Sequence, residues 1–270
     1  MGNQVNPVAV PFLVQKFLYI NEMKISNDAT TPNTVLNVSA GLCRDQLDTY
    51  DLNLGNYDAL LQQPVANSVT LINGAVNGIN GLDQGTLGAS HVYYVYVIGD
   101  PVSANPTGCM ISLAAPSIGP LMPFGYGAFR HIGYAVTDSG SHFLLSYNAG
   151  NNNARRFFYD APISVGSTAT EAAYTAIDLT KFVPLVNNLP VYLDASINGT
   201  AGDTLNLQPG NATGNAITIV AAVNSQVLHQ QVSVLAQTVA ISTIPSPVIN
   251  YKNSGTDTIA ILVQGFDYYI

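Results

Sequence analysis

The chain has 270 residues, of which 47% are hydrophobic and only 9% charged, with a formal net charge of −8 and a pI near 4.6. Binding along a nucleic-acid backbone is excluded on this reading, because it needs a clustered basic face to release counterions and the one basic cluster here is Arg155 with Arg156. The length allows a substantial core without metal or disulfide staples.

Charged usage far below the roughly 25% of ordinary soluble domains leaves Asn, Thr, Ser and Gln to cover the surface. Such a surface repels neighbouring copies weakly, which suits a subunit of a permanent assembly. Glu occurs only at Glu22 and Glu171, so the residues of exposed helix faces are scarce, whereas Val, Ile, Thr and Tyr are plentiful. The composition predicts an all-β fold, divided into an arm and loop over 1–33, an N-terminal β domain over 34–172 and a C-terminal β-sandwich over 173–270.

In chain order, residues 7–20 are apolar but hold two prolines and Lys16, lack a cleavage site and are too short to span a bilayer, so neither export nor membrane insertion is expected. Pro11 opens either a short helix carrying Phe12, Val14, Phe17 and Leu18 or an added strand. This terminus either covers the core or serves as an attachment arm, with Phe12, Phe17 and Tyr19 packing on a neighbouring subunit. Ser26–Asn33 reads as a loop.

Short alternating runs follow at Val35–Val38, Leu47–Leu54 and Ser68–Ile72, then a Gly/Asn-dense loop from Asn73 to Gly88. His91–Ile98 is apolar or aromatic on both faces, which predicts a central strand covered on both sides. Further strands are expected at Cys109–Leu113, Phe129–Thr137, His142–Tyr147 and Arg155–Tyr159, and a short turn or helix at Ser167–Tyr174. In the last third Val191, Leu193, Ala195 and Ile197 share a face, followed by Leu205 and Leu207, Ile217 and Ile219, and Ile259, Ile261 and Val263. Turns at Asn198-Gly199, Ala201-Gly202-Asp203 and Pro209-Gly210-Asn211 punctuate these runs.

The chemistry-bearing residues do not form recognisable motifs. His91, His131, His142 and His229 are never paired at metal-ligand spacing, and Asp45, Asp48 and Asp51 lack the order of a calcium loop, so they read as turn formers. Asp138-Ser139-Gly140 lacks a nucleophile elbow, and the glycines of 74–88 lack the Lys-Ser/Thr of a phosphate loop. Cys43 and Cys109 read as small buried hydrophobes. No catalytic residue, metal or cofactor is expected.

Ala40-Gly41-Leu42-Cys43-Arg44-Asp45, Asn80-Gly81-Leu82-Asp83-Gln84-Gly85, Tyr93–Ile98 with Gly99-Asp100, Pro123-Phe124-Gly125-Tyr126 and Arg130-His131-Ile132-Gly133-Tyr134 carry a resemblance. In order and spacing these segments, over about the first 140 residues, resemble a widespread set of bacteriophage virion structural proteins from tail or head genes. Cys43 and Gln46 depart from the small or polar residue and the Ser of that pattern. The resemblance implies a virion component that is no enzyme: a homotrimeric fibre, adaptor-bound or decoration subunit on tail or capsid, partnered by copies of itself and other virion proteins. The alternative is a tip protein that binds a host surface glycan or receptor, with Tyr126, Phe129 and Tyr147 as candidate contacts.

Because charges are so scarce, Arg44, Asp45, Asp83 and Arg130 are expected to form one structural network that holds the 73–88 loop against the sheet. Phe266, Tyr268 and Tyr269 at the C-terminus are expected at a subunit interface, with a final core strand as the other reading.

Overall fold

The computed structural model describes residues 19–55, 57–58, 63–64, 69–102, 104–151, 153–168, 171–210, 216–221, 227–241, 244–254 and 258–270. The chain begins with short strands: β1 (Ile20–Glu22), β2 (Ile25–Asn27), β3 (Val35–Ser39), β4 (Gly41–Arg44), β5 (Asp51–Leu54), β6 (Tyr57–Asp58) and β7 (Gln63–Pro64). Longer ones follow: β8 (Val69–Asn77), β9 (Gly81–Leu82), β10 (Val92–Gly99), β11 (Gly108–Ser112), β12 (Ala128–Val136), β13 (Ser146–Asn151) and β14 (Ala154–Thr168). The last are β15 (Thr175–Asp178), β16 (Leu189–Asn198), β17 (Thr204–Pro209), β18 (Ile217–Val220), β19 (Val227–Ile241), β20 (Ile244–Asn253) and β21 (Thr258–Tyr269). Every regular element among the described residues is a strand, so the fold is all-β as the composition predicts.

Strand β10 organises the packing. It lies between β11 and β12, and its two faces serve two different cores. Tyr94, Tyr96 and Ile98 join Tyr134, Phe157, Phe266 and Tyr268 on one side, while Tyr93, Val95 and Val97 join Ile20, Leu36, Leu52 and Ile72 on the other. That is why the run is apolar on both faces instead of alternating. The three-stranded sheet β1-β4-β5 supplies part of the second core.

A continuous hydrogen-bonded path runs from β12 through β10, β11, β9, β8, β3, β2, β13, β14, β21, β16, β19, β20 and β17 to β18. Strand β19 carries it round a corner: Val227–Ala236 pair with β16, and Gln237–Ile241 pair with β20. The alternating face of β16 (Val191, Leu193, Ala195, Ile197) is fully buried and shares a core with Leu205 and Leu207 of β17 and Ile249 and Tyr251 of β20. Two facing sets of strands around one apolar filling is how a sandwich buries its inner faces.

Some expectations are corrected in detail. The loop expected over 73–88 is strand as far as Asn77, and after a turn Gly81–Leu82 pair in parallel with β8 and β11. Leu47 lies in a turn, with strand starting only at Asp51. Of the segment Ser167–Tyr174, expected as a turn or helix, Ser167 and Thr168 belong to β14, and the chain bends at Ala172 and Ala173 before β15. The boundary drawn at 172–173 is crossed by the β14–β21 ladder and by a core that joins Tyr94 and Tyr134 to Val191 and Phe266. The arm drawn over 1–33 is already sheet from Ile20, since β1 pairs with β4 and β2 with β3 and β13. Phe12, Phe17 and the Pro11-led segment lie outside the described residues.

Candidate functional site

Four of the sequence-predicted residues separate into two places. Arg44 ends β4 and reaches Asp48 Oδ1 at 3.2 Å, Asp51 Oδ1 at 3.1 Å and the Asp48 carbonyl at 2.6 Å. Asp45 is buried and accepts hydrogen bonds from the backbone N–H groups of Thr49 and Tyr50, closing the turn before β5. Arg130 is buried nearby; burial lowers its pKa, and the charges of Asp45 and Asp48 raise it. Asp83 stands apart, accepting from Ser112 Oγ at 2.6 Å and from the Leu121 N–H at 3.1 Å. The single network expected to clamp the 73–88 segment is therefore divided: Arg44 and Asp45 serve the 44–51 turn, Arg130 lies buried in the field of Asp45 and Asp48, and Asp83, inside the segment, ties it to Ser112 of β11 and to the 113–127 loop. The segment is held as well by backbone pairing, by Asn80, whose Oδ1 accepts from the Cys109 N–H, and at Gly88 by the hydroxyls of Tyr93 and Thr137. Tyr19, the one described residue of the attachment set, is buried and donates its hydroxyl to Asp51 Oδ1 at 2.9 Å, so it belongs to the protomer's own packing.

The strongest polar cluster was not anticipated. Arg155 of β14 is buried; its Nη1 donates to the carbonyls of Met23 at 2.8 Å and Ile132 at 3.0 Å, and its Nη2 to that of Glu22. Each acceptor is made available by local backbone geometry. Glu22, which ends β1, and Met23, which follows it, are consecutive left-handed residues (φ 58° and 54°). Ile132 is the extra residue of a β-bulge, where β12 slips against β10 between Val95 and Tyr96. Tyr268 completes the cluster by bonding Arg155 and donating to Asn148 Oδ1 at 2.6 Å, and Asn148 in turn donates to the Ile25 carbonyl at 3.1 Å.

Tyr268 and Phe266 are consequently core residues, not interface residues: Phe266 stacks on Phe157 with ring centroids 4.9 Å apart, and Tyr268 meets Tyr134 edge-on at 5.0 Å. Strand alternation turns only Tyr269 of the three outward, where it is 79% exposed. It borders a shallow cleft of about 360 Å³ lined also by Ala149, Gly150, Ala154, Arg156 and Asp267.

Beside this cleft, on the outer face, Tyr147, Phe158, Gly265 and Tyr192 stand in register across β13, β14, β21 and β16. Tyr147 stacks on Phe158 at 5.2 Å, and Phe158 lies 5.7 Å from Tyr192 across the glycine. A Cβ at Gly265 would sit 2.0 Å from the Phe157 carbonyl oxygen and 2.9 Å from Phe158 Cδ1, so only glycine fits between the two rings. Arg156 covers the Tyr192 ring at 5.4 Å and binds Asp267 at 2.9 Å, while the Tyr192 hydroxyl donates to the other Asp267 oxygen at 2.7 Å. Of the three candidate glycan contacts, Tyr147 alone lies on this outer row; Tyr126 is tied to the Pro106 carbonyl and Phe129 is half-buried under Gly119.

The remaining chemistry-bearing groups have structural roles. Cys43 and Cys109 are buried free thiols; burial pushes Cys43 up to about 12 and raises Cys109 as well, which keeps both protonated and unreactive. His131 is enclosed by Tyr94, Tyr96 and Tyr134, its Nε2 donates to the Gly133 carbonyl at 2.9 Å, and burial pushes its pKa down to about 3. Asp138 accepts from the N–H groups of Gly140 and His142, so Asp138-Ser139-Gly140 is a turn. Among the described residues no group of three or more His, Cys, Asp or Glu is placed to hold a metal ion, and no helix is long and apolar enough to cross a membrane.

No family model and no curated protein matches the chain. Among solved structures it is similar to an exo-β-1,3-galactanase from Phanerochaete chrysosporium, at 12% identity and a TM-score of 0.20 over 92% of this chain and 68% of that one. It is similar to the mosquito-larvicidal Cry4Aa toxin of Bacillus thuringiensis at 9% identity and 0.18, over 93% and 52%. The structure of infectious bursal disease virus, Gx strain, gives 9% and 0.20, over 93% and 70%. Likeness at this level carries no functional argument.

Proposed function

We propose that the chain is a non-enzymatic structural subunit of a bacteriophage particle, attached to the tail or capsid and assembled with copies of itself as a homotrimer. The observation that supports this is where the ionic side chains are spent. Asp45, Asp83, Asp100 and Asp138 cap turns and tie loops, Arg44 braces a turn, and Arg155 fastens three strands to one another. Charge in this chain stiffens the scaffold instead of converging on a substrate. The virion assignment rests on the resemblance carried by about the first 140 residues. Mass spectrometry of purified particles, with antibody labelling in electron micrographs, tests it: the chain is expected at stoichiometric copy number, and its absence from particles overturns the assignment.

A second reading, a host-glycan contact, is favoured by the outer-face row of exposed Tyr147 and half-buried Phe158 and Tyr192, and by the Arg156–Asp267 pair beside Tyr269. Aromatic rings next to paired donors and acceptors suit sugar recognition. Fluorescently labelled chain should then decorate host cells and lose that binding in Arg156→Met.

A further inference from the structure

On the outer face, β13, β14 and β21 set three cross-strand rows. Tyr147, Phe158 and Gly265 make the first, Ala149, Arg156 and Asp267 the second, and Ala154 with Tyr269 the third. Residues directly opposite one another on antiparallel strands share a face, and consecutive rows, two residues apart, stand roughly 7 Å from each other along the strands. The second row therefore lies between two that carry exposed rings: Tyr147 is 51% exposed and Tyr269 79%. Ala149, Gly150 and Ala154 leave little side chain over the sheet there, which is why the cleft beside Tyr269 opens at this point.

The groups around the cleft are held in place. The Ile270 N–H donates to the Asn153 carbonyl at 3.0 Å, fastening the end of β21 to the β13–β14 hairpin. Asp267 accepts from Arg156 Nε through Oδ1 and from the Tyr192 hydroxyl through Oδ2. A guanidinium carries five N–H donors and each carboxylate oxygen two lone pairs, so both groups keep capacity for a ligand, and 54% of the Arg156 side chain is exposed. Arg155 also lines the cleft, but its guanidinium is turned inward to the carbonyls of Glu22, Met23 and Ile132.

We infer that this cleft seats an uncharged pyranose of a surface glycan, an inference that rests on the host-glycan reading above and names its sugar class and its place on the sheet. A pyranose has an apolar C–H face and a rim of hydroxyls. Exposed rings such as Tyr269 and Tyr147 take the first, and a donor next to an acceptor, Arg156 beside Asp267, takes two adjacent hydroxyls. The cleft's volume of about 360 Å³ lies at the small end of the roughly 300–1,000 Å³ of ligand sites, enough for a short stretch of glycan. A sugar acid would have to share Arg156 with Asp267, which sets two carboxylates side by side in a chain of net charge −8. An uncharged sugar meets no such repulsion.

Binding of the full chain to host envelope polysaccharide, separated by anion exchange into neutral and acidic fractions and immobilised for interferometry, tests the inference. The wild type is expected to bind the neutral fraction and not the acidic one. Tyr269→Ala and Arg156→Met should each bind the neutral fraction about tenfold more weakly. Their melting temperatures should be nearly unchanged, because both side chains are largely exposed. Phe124→Ala, which removes an exposed ring outside the cleft, is expected to bind like the wild type. Equal or tighter binding to the acidic fraction, or neutral binding that either cleft variant leaves intact or that Phe124→Ala weakens equally, overturns this cleft and sugar class while the host-glycan reading stands. Binding to neither fraction overturns both.

Discussion

Arg155 and Arg156 are neighbours on β14, yet strand alternation gives them opposite environments. Arg155 points inward, where three carbonyls and the Tyr268 hydroxyl surround its guanidinium. Arg156 points outward, where it shares Asp267 with Tyr192 and keeps half its side chain in water. On the inner face a buried cation makes one unit of the β1–β2 turn, the β12 bulge and the C-terminal strand. On the outer face the same residue type sits in a screened pair whose net worth is small. Position relative to the core, not residue type, decides what an arginine contributes here.

The largest expected effect breaks the inner side. Arg155→Met leaves the carbonyls of Glu22, Met23 and Ile132 buried without their donor, and should destabilise the fold by about 3–5 kcal/mol in denaturant unfolding. A loss below about 1 kcal/mol would show that those carbonyls find water instead.

Acid should also act on the inner side, through His131. Its folded pKa of about 3 lies below the ordinary value of 6.5, so the unfolded chain binds the proton first and stability falls as pH drops below 6.5. From that cause alone the loss is about 2 kcal/mol at pH 5. His131→Gln keeps a donor for the Gly133 carbonyl but does not titrate, so its stability should fall less between pH 7 and pH 5 than that of the wild type. Equal slopes would place the acid sensitivity elsewhere.

Gly265→Ala sharpens the comparison, because this glycine lets the outer row form while its backbone belongs to the β14–β21 ladder. The added methyl meets the Phe157 carbonyl and Phe158 and should cost about 2 kcal/mol, read as a lower melting temperature. Arg156→Met should cost the least, under about 1 kcal/mol, with the melting temperature nearly unchanged. A cost as large as that of Arg155→Met would abolish the distinction between the two faces.

Much of the architecture is legible in local pattern. The unbroken apolar run of β10 announces a strand with a core on each side, and the alternation of β16 announces one buried face. Strand β20 is harder to read, because Pro245 and Pro247 argue against a central strand; they lie where β20 pairs with β19 on one side and beyond the reach of β15 on the other. The 73–88 segment is misread because its Asn-Gly turns hide a short parallel pairing that closes only through β11. Arg44, Asp45, Asp83 and Arg130 stand out because charges are scarce, but scarcity says nothing about who pairs with whom. Arg155 stands out in the sequence only as half of a basic pair, because three of its partners are carbonyl oxygens, which every residue carries.

The sequence by itself determined that this protein is built from strands, that β10 lies inside and that charge is kept off most of its surface. Those properties follow from side-chain type and period, which act over a few residues. Only the tertiary structure decided that the Glu22, Met23 and Ile132 carbonyls converge on Arg155 and that Tyr268 faces inward and Tyr269 outward. Such juxtapositions depend on registers, bulges and left-handed turns that bring together residues more than a hundred positions apart, and no local pattern encodes them.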